Sequence, residues 1–197
     1  MSLSTYTQKR NFSLSPEPGA TLQKSKGKLS FVVQRHKASR LHYDLRLEMD
    51  GVLKSWAVPK GPSMNPKDKR LAMMVEDHPY AYKDFKGVIP EGYGAGIVEI
   101  WDKGTYSSIE ITATEEKDLK AGLKTGNLKF TLFGKKLKGE FALVKLKGKE
   151  DNSWLLIKHR DKFAVDGYDS EKETPANSPI NKWLAQNKQP QKKNSIP

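Results

Sequence analysis

The chain has 197 residues, with 35 Lys or Arg against 23 Asp or Glu, so its length suits one domain with or without a tail and its charge of +12 favours polyanionic partners. It contains no cysteine, which excludes disulfides and zinc–thiolate sites and leaves His and carboxylate side chains to hold any metal. No stretch has the apolar length of a signal peptide core or a membrane helix, so we expect a soluble, cytoplasmic protein that does not bind membranes.

Residues 1–28 form a polar segment that we predict to be an extended, flexible arm. The run Ser15-Pro16-Glu17-Pro18-Gly19 disfavours a packed element, because Pro and Gly interrupt regular structure. The arm also carries Lys9, Arg10 and Glu17, charged side chains that could fold over a site when a ligand binds.

A first strand is predicted over residues 29–35, followed by His36, and a second strand over residues 41–49. Asp50-Gly51 is a strong hairpin signal, so residues 52–58 should return antiparallel to the second strand.

The second strand has an apolar face and a polar face, because successive side chains of a strand point to opposite sides. The apolar face carries Leu41, Tyr43, Leu45 and Leu47. The polar face carries His42, Asp44, Arg46 and Glu48. Together with His36 just upstream, this polar face offers nitrogen and oxygen ligands to a divalent metal, with a fixed cation beside them.

A strand over residues 70–78 has a similar polar composition. Alternation puts one set of side chains on a common face: Arg70, Ala72, Met74, Glu76 and His78. Three of the four histidines of the chain therefore fall between residues 36 and 78. Ordinary solvent exposure would favour Lys, Thr and Ser over His, so we predict that both strands contribute to one site.

The rest of the chain predicts an antiparallel sheet. The close-set glycines of residues 92–96 are more typical of a tight corner than of a phosphate cradle, because a strand and no helix follows them. One helix is predicted over residues 114–122. Further strands, in which apolar residues alternate with Lys, are predicted over residues 126–133, 138–146 and 153–159.

Residues 168–197 are rich in Glu, Lys, Pro, Asn and Gln, with one apolar patch at Trp183-Leu184-Ala185. Such a segment cannot bury much apolar surface. We predict a flexible or loosely docked tail.

The candidate chemistry is that of a metal-assisted phosphate site. His36, His42 and Asp44 make a two-histidine, one-carboxylate set that suits manganese or iron and leaves coordination positions open. Nearby cations suit a phosphate ester better than an oxygenase substrate; these are Arg46, Arg70 and His78. Nucleophilic Cys-His and Ser-His-Asp arrangements are not supported, because cysteine is absent and no nucleophile elbow occurs.

Four stretches of the chain resemble a known family. They are residues 35–48, residues 70–79 with the run Glu76-Asp77-His78-Pro79, residues 89–96, and Trp101-Asp102-Lys103-Gly104. Together they resemble the 3′-phosphoesterase domain of bacterial DNA ligase D and its stand-alone bacterial and archaeal relatives, over about residues 9–165. The H-x5-H-x-D element and the Glu-Asp-His-Pro run are the most specific parts of this resemblance.

The resemblance implies a mainly β fold: an antiparallel β-barrel over residues 29–167 with one or two short helices, an arm that is partly ordered on the active site, and a tail. It implies an enzyme that processes 3′ ends of DNA in repair by end joining. A manganese-dependent phosphodiesterase step would remove a terminal ribonucleoside, and a phosphomonoesterase step would remove the 3′-phosphate. The implied partners are a DNA primer-template, a separate polymerase and an ATP-dependent ligase.

The resemblance also implies a role for individual residues. The metal ligands would be His36, His42 and Asp44. The phosphate would be bound by Arg10, Arg46, Lys60, Arg70 and His78. The catalytic set would be Arg46, Arg70, Glu76, His78 and Tyr82, in which His78 contacts the phosphate or acts as a general acid. Glu17 would be a supporting residue from the arm.

The chain departs from the family pattern at two places. Asn11 follows Lys9-Arg10 where the family has an acidic residue, which questions a carboxylate role there. The loop at Gly92-Tyr93 is one residue shorter than in other members.

Two other functions stay open on the sequence alone. A non-catalytic, basic DNA-binding module of a repair complex would explain the charge but not the histidines. A metal-dependent barrel acting on small sugar phosphates would explain the histidines, but the charge of +12 argues against it.

Overall fold

A computed structural model describes residues 2–148 and 150–187 of the chain. The strands of this part are β1 (Ser30–Lys37), β2 (Leu41–Met49), β3 (Val52–Val58), β4 (Lys69–Pro79), β5 (Gly87–Ile89), β6 (Gly96–Ser108), β7 (Asn127–Phe133), β8 (Lys138–Lys145) and β9 (Ser153–Lys158). The helices are α1 (Leu3–Gln8), α2 (Glu115–Thr125) and α3 (Pro179–Gln186), and a 3-10 turn covers Tyr80–Asp84.

Eight of the strands close into an antiparallel barrel in the order β1-β2-β3-β4-β9-β8-β7-β6, and β6 pairs back to β1. The short β5 adds to the edge of β6. The predicted antiparallel barrel is thus confirmed, although the described residues contain three α-helices where one or two were expected. The helices that were not predicted by position, α1 and α3, are short, and helices of this length depend on packing against other elements rather than on local propensity. None of the helices in the described residues is both long and apolar enough to cross a membrane.

The barrel interior is one apolar cluster to which all eight barrel strands contribute, including Phe31, Val33, Leu45, Trp56, Ala72, Trp101, Phe130, Phe141 and Trp154. Because side chains alternate, the His42 and Asp44 face of β2 points to the outside of the barrel wall. A second apolar cluster covers this outer wall, formed by Tyr6, Leu53, Tyr80 and Tyr82. The predicted polar face therefore lies in a covered region outside the barrel core.

A β-bulge changes the side-chain alternation of β4. Leu53 of β3 pairs with His78, but Ser55 pairs with Val75, so β4 has one extra residue between these two pairs. As a result the consecutive residues Val75 and Glu76 both line the same cavity. A bulge of this kind moves the residues that follow it to the opposite face.

Because of this bulge, the prediction that one face of β4 carries Arg70, Ala72, Met74, Glu76 and His78 is wrong. Ala72 lies fully buried in the barrel core, whereas its neighbour Leu71 is 44% exposed on the outer wall. Alternation therefore places Arg70 on the same side as Ala72, away from Glu76 and His78.

The polar segment after the barrel is docked on it as far as the structure describes it. Ile180 of α3 is fully buried, and the carboxylate of Glu171 accepts hydrogen bonds from Arg35 and from the hydroxyl of Tyr43. Arg35 is itself fully buried and also donates to Glu99 at 3.0 Å. A buried guanidinium requires such partners, which explains why a segment of polar composition is packed here. Residues 188–197 of the predicted tail lie outside the described residues.

We expect Glu171→Ala to lower the free energy of unfolding by about 2 kcal/mol, because the buried Nε of Arg35 loses its acceptor, while Nη1 keeps Glu99 and Nη2 keeps Asn181. Urea denaturation measures this change. Glu173→Ala, two residues along the same exposed segment, is the matched control and should leave the midpoint unchanged. Equal midpoints for the two variants would contradict the proposed anchoring of this segment.

Candidate active site

The three predicted metal ligands lie together at the start of β2. His36 on β1 is directly opposite His42 in the strand register, and Asp44 follows two residues later on the same face. The candidate ligand atoms of these three side chains all lie within 4.8 Å of one another. Adjacent antiparallel strands thus bring together residues that are six and eight positions apart in the sequence.

Backbone carbonyls orient both imidazole rings. Nε2 of His36 donates to the carbonyl oxygen of Gly94 at 2.9 Å, and Nδ1 of His42 donates to the carbonyl oxygen of Arg40 at 3.0 Å. In a neutral ring the other nitrogen then keeps its lone pair. These nitrogens, Nδ1 of His36 and Nε2 of His42, lie 3.8 and 3.7 Å from the carboxylate oxygens of Asp44. Fixing the outer nitrogen in this way is how proteins prepare histidine for metal binding.

The glycine-rich loop before β6 forms a corner above His36. Gly94 supplies the carbonyl oxygen just described. Gly96 has a φ of +147°, and a Cβ on it would lie 2.2 Å from the carbonyl oxygen of Lys37. Only glycine allows this close approach of the start of β6 to the end of β1.

Arg46 lies next to the ligand cluster with one donor unused. Its Nε donates to Oε1 of Gln34 at 2.7 Å, and its Nη2 donates to Oδ2 of Asp44 at 3.1 Å. Its Nη1 is buried and has no hydrogen-bond partner in the part of the chain that the structure describes. An unpaired buried donor is unfavourable, and an anionic oxygen would satisfy it with a strong, charge-assisted bond.

The carboxyl group of Asp44 is held in its charged form. Burial by itself would raise its pKa, but the Arg46 guanidinium and the two imidazole rings outweigh burial and hold the pKa well below its usual range. Asp44 therefore offers a carboxylate at the cluster at any pH near neutrality.

The N-terminal arm contributes a second arginine. Arg10 donates from Nε to Oε1 of Glu17 at 2.8 Å, from Nη1 to Oε1 of Glu76 at 3.1 Å, and from Nη2 to Nε2 of His78 at 3.1 Å. The hydroxyl of Tyr82 also donates to Glu17, at 2.9 Å. Arg10 and Glu17 thus lie on the site, and the arm begins with helix α1 where an extended segment was predicted.

His78 is a neutral hydrogen-bond acceptor in this arrangement. A guanidinium can only donate, so Nε2 of His78 accepts from Arg10, and Nδ1 donates to the carbonyl oxygen of Glu76 at 2.9 Å. Burial, together with the charges of Arg46 and Arg10, holds the pKa of His78 well below its usual range. Nε2 therefore has no proton to donate while Arg10 is bound to it.

A cavity of about 220 Å³ joins these groups. The charged, histidine and tyrosine side chains that line it are Arg10, Glu17, His36, His42, Asp44, Arg46, Glu76, His78, Tyr82 and Tyr93. The structure thus brings together most of the residues that the resemblance implied, from β1, β2, β4, the 3-10 turn and the arm.

Two implied phosphate ligands do not line this cavity. Arg70 donates from Nη2 to Oδ2 of Asp68 at 2.8 Å, on the far side of the bulge in β4. Lys60 is exposed in the turn after β3. The structure therefore does not bring either cation to the histidine cluster.

Sequence reasoning missed Gln34, which helps to hold the site together, and named Lys9 only as a charged residue of the arm that could fold over a site. Gln34 holds Nε of Arg46, and it shares the face of His36 because it is two residues away on β1. Alternation along β1 could have identified it. Lys9 donates to Oε2 of Glu76 at 2.9 Å, a contact that no local pattern indicates. Asn11, at the position where the family is acidic, accepts hydrogen bonds from Ser13 within the arm.

Acidification is expected to weaken the docking of the arm on β4. Burial would raise the pKa of Glu76, but its hydrogen bonds with Lys9 and Arg10 outweigh burial, and the pKa lies below its ordinary value of 4.5. A group with a depressed folded-state pKa stabilises the folded form above the unfolded-state pKa, and this contribution is lost as the pH falls through the folded-state pKa. Hydrogen exchange of residues 3–18 should therefore speed up, relative to intrinsic rates, below about pH 4.5.

Glu76→Gln is the control for this pH dependence, because it keeps the shape of the side chain but does not titrate. Its arm should exchange faster than the wild-type arm at neutral pH, with little further change on acidification. An arm whose protection is equal in both proteins and constant with pH would show that Glu76 does not hold it.

The chain is similar to known proteins over the region that carries these residues. The family model of the DNA Ligase D 3′-phosphoesterase domain matches residues 34–145, which include the histidine cluster, Glu76, His78 and Tyr82. The chain is 48% identical over 180 residues to the multifunctional non-homologous end joining protein LigD of Pseudomonas aeruginosa, covering 88% of this chain and 20% of that protein. It is 44% identical over 161 residues to the LigD protein of Mycolicibacterium smegmatis, covering 81% of this chain and 21% of the relative.

A third relative, the LigD protein of Mycobacterium tuberculosis, is 42% identical over 166 residues, covering 83% of this chain and 20% of that protein. The chain thus spans about a fifth of the length of the curated relatives it matches. The region that the family model matches contains the histidine cluster, the buried arginine beside it, and the barrel strands from the second half of β1 to β8. On these grounds the chain belongs to the DNA ligase D 3′-phosphoesterase domain family.

Proposed function

We propose that this chain is a manganese-dependent phosphoesterase that processes 3′ ends of DNA, with 3′-ribonucleoside phosphodiesterase and 3′-phosphomonoesterase activity. The observation that carries the proposal is Nη1 of Arg46, which has no hydrogen-bond partner among the described residues and is buried beside His36, His42 and Asp44. An anion bound to this donor would lie next to the candidate metal ligands. A phosphate ester is the substrate class that needs both groups.

The donor set fits a divalent metal of the first transition row. Two imidazole nitrogens with free lone pairs and one carboxylate face each other, and carbonyl oxygens fix both rings. His36, His42 and Asp44 would hold Mn²⁺, which when bound would neutralise charge on the phosphate and favour deprotonation of an oxygen nucleophile. This role requires Asp44 to be ionised, as its depressed pKa implies.

Arg46 and Arg10 would both bind the phosphate. Arg46 is held by Gln34 and Asp44 so that its free Nη1 donor is fixed in position before substrate arrives. Preorganised donors of this kind stabilise charge that develops in the transition state, because they need no reorientation. Arg10 would contribute the second cation, held in place by Glu17 and Glu76.

The remaining residues would position these cations. Glu17 and Glu76 bind Arg10, and Tyr82 binds Glu17 while its ring lies 4.8 Å from the guanidinium of Arg46. We propose that His78 positions Arg10 and does not itself donate to the phosphate, since its Nε2 accepts a hydrogen bond from Arg10. We propose no role at the reacting phosphate for Lys60 or Arg70.

We propose that the catalytic unit comprises the barrel, residues 29–167, together with the arm of residues 1–28, and that residues 168–197 form a tail. We further propose that it acts in DNA end joining, the process that the names of its relatives state, together with a separate polymerase and an ATP-dependent ligase. The basic charge of the chain, +12, suits a DNA substrate better than a small sugar phosphate.

A labelled primer-template tests the proposal. With Mn²⁺, a primer that ends in one ribonucleotide should lose that nucleoside, and a primer that ends in a 3′-phosphate should lose the phosphate. A primer with a deoxynucleotide end tests whether the 2′-hydroxyl takes part in the first step. DNA that binds tightly but is not altered with Mn²⁺, Mg²⁺ or Co²⁺ would instead support the non-catalytic DNA-binding module.

A further inference from the structure

A second groove, of about 410 Å³, adjoins the site cavity. Its walls are Lys37, Ala38, Ser39, Val88, Ile89, Pro90, Ala95, Gly96, Ile97 and Trp183. Two of these residues, Ala38 and Ile89, also line the cavity that holds the histidine cluster. The groove and the cavity are therefore neighbouring spaces that share a wall.

Trp183 is the large exposed aromatic side chain of this groove. It is 38% exposed, whereas Trp56, Trp101 and Trp154 are 0%, 4% and 3% exposed. Its helix, α3, is fixed to the barrel through the buried side chain of Ile180, whose backbone NH donates to Oε2 of Glu99 at 3.1 Å. The indole ring is thus presented at the surface by an anchored element.

A cation lies beside this ring. Nζ of Lys37 is 5.3 Å from the ring centroid of Trp183 and donates to the carbonyl oxygen of Ala38 at 2.8 Å. Val88, 58% exposed, adds apolar surface to the same groove. An aromatic face with apolar walls and an adjacent ammonium group is the combination that binds single-stranded nucleic acid, in which bases stack and phosphates pair with cations.

We propose that this groove binds a nucleobase of the substrate strand, stacked on Trp183, while Lys37 attracts the adjoining backbone phosphate. The proposal rests on the proposed function, because a phosphodiester held at Arg46 must place its neighbouring nucleoside in a space next to the cavity. The shared wall makes this groove such a space, and the net charge of +12 favours a nucleic acid there over an uncharged apolar partner.

Tryptophan fluorescence tests the proposal without catalysis. The probe is a short oligothymidylate in metal-free buffer with a chelator, so that no cleavage occurs. The wild-type emission should be quenched saturably, because stacking brings a base against the exposed indole. Trp183→Phe should remove the quenching but keep most of the affinity, measured by anisotropy of a labelled oligonucleotide. Trp183→Ala should weaken binding about 10-fold, as expected for the loss of one stacked base.

Phe133→Ala is the matched control, since this aromatic residue is 55% exposed on β7 and does not line the groove. Its affinity should equal that of the wild type, and melting temperatures confirm that each variant is folded. Equal affinities of the folded Trp183→Ala variant and the wild type would overturn the proposal. Fluorescence changes that depend on protein concentration without DNA would also overturn it, in favour of a second copy of the chain.

The same variants separate this inference from the proposed function. His42→Ala should still show quenching, because the groove does not include the histidine cluster. Quenching of the wild-type emission, together with weaker binding by Trp183→Ala, would support base binding in the groove even if no primer is trimmed. Normal trimming with unchanged binding by Trp183→Ala would refute the groove and leave the enzyme proposal intact.

Discussion

The variant His42→Ala is expected to lose metal-dependent phosphoesterase activity and to bind Mn²⁺ more than about 100-fold less tightly, since replacing even an outer-shell partner of a metal ligand costs about 10–100-fold. The physical reason is that Nε2 of His42 is one of three candidate ligand atoms in the cluster and that its ring is already fixed by Arg40. Electron paramagnetic resonance of Mn²⁺ measures affinity, and the primer assay measures rate.

His159→Ala provides the matched control, because this histidine lies beside Glu140 outside the cavity. Its activity and its Mn²⁺ affinity should remain at the wild-type level. A His42→Ala protein that keeps near-normal Mn²⁺ affinity and rate would show that the ligand set is misassigned, even if its stability is altered.

Arg46→Lys is expected to lower kcat by about 100- to 1,000-fold, the usual cost of losing one preorganised donor at a charge-developing centre. A lysine keeps the charge, but its single ammonium group cannot bind Gln34, Asp44 and a phosphate in the directions that the guanidinium serves. Mn²⁺ affinity should stay close to wild type, because Arg46 is not a candidate metal ligand.

The control for charge is Arg160→Lys, at an exposed arginine beyond β9 that does not line the cavity. It should have the wild-type kcat. If Arg46→Lys retained the wild-type kcat, Nη1 of Arg46 would have no role in the reaction. This atom would then no longer support the proposed function.

The alternation of β2 was readable from the sequence because it depends only on local geometry. Successive side chains of a strand point to opposite sides, so His42, Asp44 and Arg46 had to share a face. The Asp50-Gly51 turn likewise fixed the antiparallel return of β3, since few residues accept the positive φ angles found there. Three of the ten charged, histidine and tyrosine side chains of the cavity could thus be predicted from one strand.

Contacts between distant segments were not readable in this way. The bulge in β4 sends Glu76 and His78 to one face and Arg70 to the other, and it exists because of how β4 pairs with β3. The role of the tail depends on the buried charge of Arg35, which Glu171 neutralises from 136 positions away.

The sequence by itself determined which residues of β1 and β2 could act together and which family the chain resembles. The tertiary structure alone decided which groups hold Arg10 in the cavity, namely Glu76 and His78, and that Nη1 of Arg46 is left without a partner in the described chain. The physical reason is that alternation and turns are set by neighbouring residues, whereas the pairing of buried charges is set by whichever segments the closed barrel brings together.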